Sequence, residues 1–361
     1  MGVRKSTLEN VDRMRERNNL ITQDMSERIN IIKLIFMVMV VFIHSGAVPE
    51  LPFELEIPTY VAVCKSVVVD GICAVAVPGF FFISGYLLFS KEFTWLGNLK
   101  KKAQTMLIPY LLINTFWILF FKVMQSIPGI APMFSAEAYQ VNGIKGIIAA
   151  YVNAIPLYYP FWFLRELMIL NVFAKLIKII IDKAPILSLM MIIFLEFGPV
   201  KIPYLVYNES LCMFALSYYV IKYHLEINKL EKVSVWIWAI AFGGVTRIRL
   251  ETMNNALLRF LGIVIGMAFL YVASGQIRRG RSRSRRMILW CSQFTFFIFA
   301  FHEYYEAMFK KVIMMIFPQY GWTQLLEFWI IPLLMVAVCI MAGFILRKYW
   351  MRGYQYVCGS R

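Results

Sequence analysis

At 361 residues the chain has room for two soluble domains, but 60% hydrophobic residues exceeds the roughly 45–50% of soluble globular proteins and excludes an ordinary water-soluble enzyme. The net charge of +16 is mostly a topology signal in a polytopic membrane protein. The six cysteines (Cys64, Cys73, Cys212, Cys291, Cys339 and Cys358) have no C-x-x-C spacing and mostly lie in or beside apolar runs, which argues against a disulfide framework or a zinc site.

In chain order, residues 1–28 are polar and basic, and no small-residue cleavage site follows Val41. The first apolar run therefore reads as a retained span rather than a signal peptide, behind a cytoplasmic N-terminal tail. Mostly apolar runs follow at 29–47, 66–89, 103–126, 161–181, 186–198, 207–223, 233–249, 256–273, 288–308 and 325–346. They predict an all-α integral membrane protein, a bundle of about ten transmembrane helices within a membrane domain over 29–346. Residues 143–157 are apolar but interrupted by Asn153 and Pro156 and followed by Pro160, which suggests an interfacial or re-entrant piece. With the N-terminus inside, most of the 37 Lys and Arg fall on cytoplasmic segments, which also places a tail at 347–361 in the cytoplasm. "RRGRSRSRR", Arg278 to Arg286, reads as an inner-leaflet loop facing anionic lipid, with no nucleic-acid partner.

The first run, "RINIIKLIFMVMVVFIHSG", holds Lys33 and His44. Ionisable groups in hydrocarbon cost a few kcal/mol each, so a span with two usually has work for them. Eleven residues of helix is about 16 Å, so the two share a face but cannot touch. The plain alternative is that Lys33 snorkels to the inner headgroups and His44 marks the outer interface.

Further motifs come in order: "VPGFFFISGYLLFS" with a kink expected at Pro78, "LKKKAQTMLIPYL", "FWFLREL", "FALSYYVI" and "FTFFIFAFHEYY". Together with the spacing of Lys33 and His44, this order over residues 28–346 resembles the bacterial integral-membrane acyltransferase-3 family. The resemblance implies a ten-span O-acyltransferase of the bacterial cytoplasmic (inner) membrane. It would move an acyl group, usually acetyl from cytoplasmic acetyl-CoA, onto a hydroxyl of a cell-envelope glycan. It also implies a basic residue, ten intervening residues and a histidine on the first helix, matched here by Lys33 and His44. Lys33 stands where arginine is usual and Asn30 where aspartate is frequent; the arginine pair before the third span's proline appears as Lys102 and Thr105. Charge is kept at Lys33, but the bidentate grip of a guanidinium is lost.

Acyl transfer to a hydroxyl needs a base for its proton and donors for the developing oxyanion. His44 is the candidate general base, since histidine titrates nearest neutrality, and His302 is a second catalytic candidate. Alternating span directions put Arg165, Glu166, Glu209, Arg247, Arg249 and Arg259 with them at the outer ends, as an acceptor cavity or as an ordinary interface. On the inner side Lys33, Lys100, Lys101 and Lys102 could meet the phosphates of acyl-CoA, although the positive-inside rule alone also explains the cluster. Acyl-CoA would be a co-substrate, with no permanently bound cofactor; no Gly-rich phosphate loop, metal cluster or nucleophile elbow is present. Ser84 reads as bonding a backbone carbonyl, and His224 as incidental. The competing reading is a non-catalytic transporter of a glycan or lipid-linked sugar on the same scaffold, which would need polarity at position 44 but no base.

Overall fold

The computed structural model describes residues 22–49, 51, 53–134, 140–200, 205–252 and 255–359; most of the predicted 1–28 tail lies outside them. These residues form thirteen helical segments and no strand. They are α1 (Gln23–Gly46), α2 (Thr59–Phe89), α3 (Trp95–Ser126), α4 (Gly143–Val152), α5 (Phe161–Lys183), α6 (Pro185–Phe197) and α7 (Asn208–Lys222), followed by α8 (Val235–Glu251), α9 (Ala256–Arg279), α10 (Ser282–Ser292), α11 (Thr295–Ile316), α12 (Gly321–Tyr349) and α13 (Met351–Cys358). Five of them, α1, α2, α3, α9 and α12, are long and apolar enough to cross a membrane. α5 and α11, with 23 and 22 residues, are long enough but carry several charges each.

Two long helices are distorted next to a proline. In α2 a π turn at Val67–Ile72 runs into a tight turn at Cys73–Val75, just before Pro78. Proline has no N–H and crowds the carbonyl four residues back, here Ala74, so the irregularity falls where Pro78 cannot bond. In α3 the π turn at Ala103–Leu107 holds Thr105, four residues before Pro109. The expected kink at Pro78 is thus a local change of winding within a continuous helix. Several predicted boundaries also move, three of them by seven residues or more. α2 and α3 start seven and eight residues before their apolar runs, α2 on Thr59–Lys65 and α3 on the polar turn Trp95–Lys102. The run at 288–308 is broken at Gln293–Phe294, and α11 continues past it to Ile316 because Glu306 and Lys310 are buried against other helices.

α1 lies at the centre, packed against α2, α9, α10, α11 and α12. Close approach depends on missing side chains: a Cβ at Gly79 would strike the Phe36 ring of α1, and one at Gly85 would strike Ser217 and the Phe214 carbonyl of α7.

Where α1 begins, ion pairs join separate elements. Arg28 is 4% exposed; its Nη1 donates to Glu231 Oε1 at 2.5 Å and its Nε to Asp24 Oδ2 at 2.8 Å, and the guanidinium lies 5.1 Å from the centre of the Tyr271 ring. Arg279 also reaches Glu231, at 2.7 Å, Arg278 pairs with Asp24, and Arg285 donates to both oxygens of Glu27. Arg28 is therefore not a solvated tail charge, and three arginines of the predicted lipid-facing loop bind acids of this chain. Most of the predicted 347–361 tail is helical: Arg347 lies in the last turn of α12, and α13 buries Tyr354 and Cys358.

Arg28→Met should lower stability by about 3 kcal/mol, because it leaves two carboxylates short of a buried partner, as measured by thermal unfolding in detergent. The hydrogen bond from Arg28 holds the Glu231 carboxyl below its ordinary 4.5. This contribution is complete above that value and should be lost as pH falls through the lower folded-state value, and the variant should show less of that acid sensitivity.

Candidate active site

Glu27, Asn30, Lys33, Met37, Val40 and His44 recur every three or four residues along α1, so helical geometry puts them in one stripe. That stripe lines a cavity of about 1140 Å³. Lys33 and His44 share it, the first in the half of α1 near its start and the second near its end. Lys91, which follows α2, and Lys101 and Lys102 of α3 line the same cavity, as does Arg347 at the end of α12. Its middle is apolar, walled by Phe80, Phe163 and Phe299 with Met37 and Val40. The two polar regions are therefore joined by a greasy passage, in which a charged group is disfavoured and an uncharged chain is not.

At the far end the His44 ring meets two others edge-on: His302, with centroids 5.0 Å apart, and Tyr159, at 5.8 Å. His302 is fully buried. Its Nδ1 lies 2.9 Å from the Ile298 carbonyl and 3.2 Å from that of Phe299. Carbonyls only accept, so Nδ1 carries the proton and Nε2 is left as an acceptor. Nε2 has no hydrogen-bond partner among the described residues.

The same face of α11 continues to Glu306 and Lys310, four and eight residues beyond His302. Both are buried, at 2% and 4% exposure. The Lys310 ammonium donates to the carbonyls of Ser45 and Ala47, each at 2.5 Å. These end the helix that carries His44, where helix carbonyls lack internal partners and a cation is favoured. Sequence reasoning stopped at His302. The available signal was the four-residue spacing in "HEYYEAMFKK", which puts the three polar residues on one face.

The other nominated residues divide. Lys33, Lys101 and Lys102 line the cavity, whereas Lys100 is exposed and outside the lining. The outer group does not line it at all. Arg165 donates to the carbonyls of Val152 and Leu205, Glu166 accepts from the Tyr207 N–H, and Glu209 pairs with Arg259 at 2.7 Å. Arg247 pairs with Glu251 at the exposed end of α8, and Arg249 donates to the Gly71 carbonyl beside the π turn of α2. These contacts tie helix ends and loops together. Thr105 donates to the Lys101 carbonyl at 3.0 Å. Ser84 lines the cavity and makes no backbone hydrogen bond among the described residues, contrary to the sequence reading. His224 is exposed in a turn with a positive φ of 48°. Among the described residues no group of His, Cys, Asp and Glu could hold a metal ion.

A multi-pass helical membrane protein with two histidines in contact at one end of a long, basic-lined cavity is the class of molecule these observations define. The acyltransferase-3 family model, an acyltransferase domain, matches residues 26–346, and the chain belongs to that family. It is similar to the succinoglycan biosynthesis protein ExoH of Rhizobium meliloti (strain 1021), with 23% identity over 221 residues. That match covers 60% of this chain and 59% of the relative, so less than two thirds of the relative's length is spanned. No solved structure matches.

Lys310→Met should lower the unfolding midpoint, with a loss of about 2 kcal/mol for leaving buried carbonyls without a donor. The check is thermal unfolding in detergent beside the parent protein; an unchanged midpoint would mean that the end of α1 does not depend on this contact.

Proposed function

We propose that this protein is a membrane O-acyltransferase of the bacterial cytoplasmic membrane, with ten spans and both termini in the cytoplasm. It moves an acyl group, acetyl by preference, from cytoplasmic acyl-CoA to a hydroxyl of a cell-envelope glycan. The observation that carries this reading is the single cavity, basic where α1 begins, apolar in the middle, and ending at His44. The phosphates of CoA belong with Lys33, Lys101 and Lys102, and its flexible arm occupies the apolar passage. About 16 Å of helix separates Lys33 from His44, a gap that an uncharged thioester arm can cross and a phosphate cannot. The role of ExoH in succinoglycan biosynthesis favours a polysaccharide as the acceptor.

In this reading His44 takes the proton of the acceptor hydroxyl as its oxygen attacks the thioester carbon. The tetrahedral intermediate collapses with cleavage of the C–S bond, and the leaving thiolate takes the proton back from His44. The products are an ester and free CoA. His302, whose ring centroid lies 5.0 Å from that of His44, positions the base.

His44→Gln should reduce acyl transfer at least 100-fold, the usual scale of a lost general base, without lowering the unfolding midpoint. The assay uses protein in lipid nanodiscs with acetyl-CoA and an envelope-glycan acceptor; turnover near the parental level would remove His44 from the chemistry. Topology has its own test in intact cells, on a background without the native cysteines. Single cysteines at Glu54 and Gly321 should react with an impermeant reagent and one at Ser282 should not, and external labelling at Ser282 would overturn the orientation.

A further inference from the structure

Among the basic side chains near the start of α1, Arg28, Arg278, Arg279 and Arg285 are committed to carboxylates. Arg347 differs. It lines the cavity with Lys33, Lys101 and Lys102, and among the described residues no carboxylate lies within ion-pair distance of it. Its Nη1 instead donates to the neutral Oε1 of Gln293 at 2.6 Å. A guanidinium has five N–H donors in a planar fork, so this bond sets its position and leaves its charge uncompensated.

The segment around Arg347 is built to keep that position. Gln293 sits in the break between α10 and α11, and its carbonyl accepts from the Tyr354 hydroxyl of α13 at 3.3 Å. Tyr354 is 2% exposed, with its ring against Phe294 and Phe297. Beyond α13, Gly359 takes a positive φ of 68° directly against the backbone of Thr105, where any Cβ would collide. Gly359 is thereby pressed onto the π turn of α3, three residues from Lys102, and Cys358 joins the cavity lining. The family match ends at residue 346, so Arg347 and α13 lie beyond it, while Gln293 lies within it.

We propose that Arg347, held by Gln293 and backed by α13, binds a phosphate of the nucleotide head of the acyl donor. The proposal rests on the donor reading above and adds a binding residue from outside the matched domain. The guanidinium grips the anion with paired N–H bonds, while Lys33, Lys101 and Lys102 supply point charges around it.

The test is acetyl-CoA binding to the full-length protein in nanodiscs, by calorimetry, with 3′-dephospho-CoA as a second ligand. Arg347→Gln should weaken acetyl-CoA binding about tenfold, Arg347→Lys should recover part of it, and kcat at saturating donor should stay near the parental value. Gln293→Ala, which leaves every charge in place, should weaken binding about threefold by freeing the guanidinium. Equal loss with both ligands assigns the contact to the diphosphate, and loss with acetyl-CoA alone assigns it to the 3′-phosphate; either supports the proposal. Parental affinity for both ligands in Arg347→Gln, with an unchanged unfolding midpoint, would overturn it. If the parent protein itself fails to bind acetyl-CoA, the donor reading has failed, and that result is distinct from failure of Arg347 alone.

Discussion

Lys310 donates to the carbonyls of Ser45 and Ala47, and this contact decides where α1 ends. A helix C-terminus exposes carbonyls without partners, and leaving them unsatisfied away from water costs several kcal/mol. One buried ammonium satisfies two of them and meets the negative end of the helix dipole. His44 lies one residue before the first. At the other end of α1, Arg28 is buried between Asp24, Glu231 and the Tyr271 ring. The helix is thus fastened at both ends by buried cations, and the depth of the stripe that lines the cavity follows.

The irregular turns of α2 and α3 bear on the same cavity. Pro78 and Pro109 each deny a hydrogen bond to the carbonyl four residues earlier, and the chain responds by rewinding locally. In α2 the rewound segment offers the Gly71 carbonyl to Arg249, so the distortion becomes a contact with α8. In α3 it sets Thr105 and its neighbours against the chain end at Gly359, beside Lys101 and Lys102. Neither proline breaks its helix; the winding changes over one turn and the helix continues.

Charge in this protein has three uses that composition does not separate. Arg28, Arg278, Arg279 and Arg285 pair with acids and join α1 to the Ile227–Lys232 turn, α9 and α10. Arg165, Arg249 and Lys310 donate to backbone carbonyls where chain segments end or change winding. Lys33, Lys101, Lys102 and Arg347 line the cavity. Burial of Arg28, Arg249 and Lys310 is tolerable because each has partners. The third group gives the cavity its sign.

By itself the sequence determined the all-helical membrane class, the apolar runs, the shared face of Lys33 and His44, and the family. These are local or periodic properties: a run long enough to cross hydrocarbon, a side chain every 3.6 residues, a motif order. Helix boundaries were less legible at 66, 103 and 308, because hydropathy marks apolar surface whereas a helix continues through polar residues that find partners. Only the tertiary structure decided which cations face the cavity. Lys100 and Lys101 are adjacent in sequence and both exposed, yet only Lys101 lines the cavity, since neighbours on a helix point about 100° apart. The outer arginines looked like a polar layer; Arg247 pairs with Glu251 one turn away, but Arg249 and Arg259 are taken up by Gly71 and Glu209, far along the chain, which no local pattern encodes. The meeting of His44 with His302, and of Arg347 with Gln293, joins positions that are distant in sequence. Such pairs depend on how the helices cross and pack, and that packing is set by the whole set of interlocking faces.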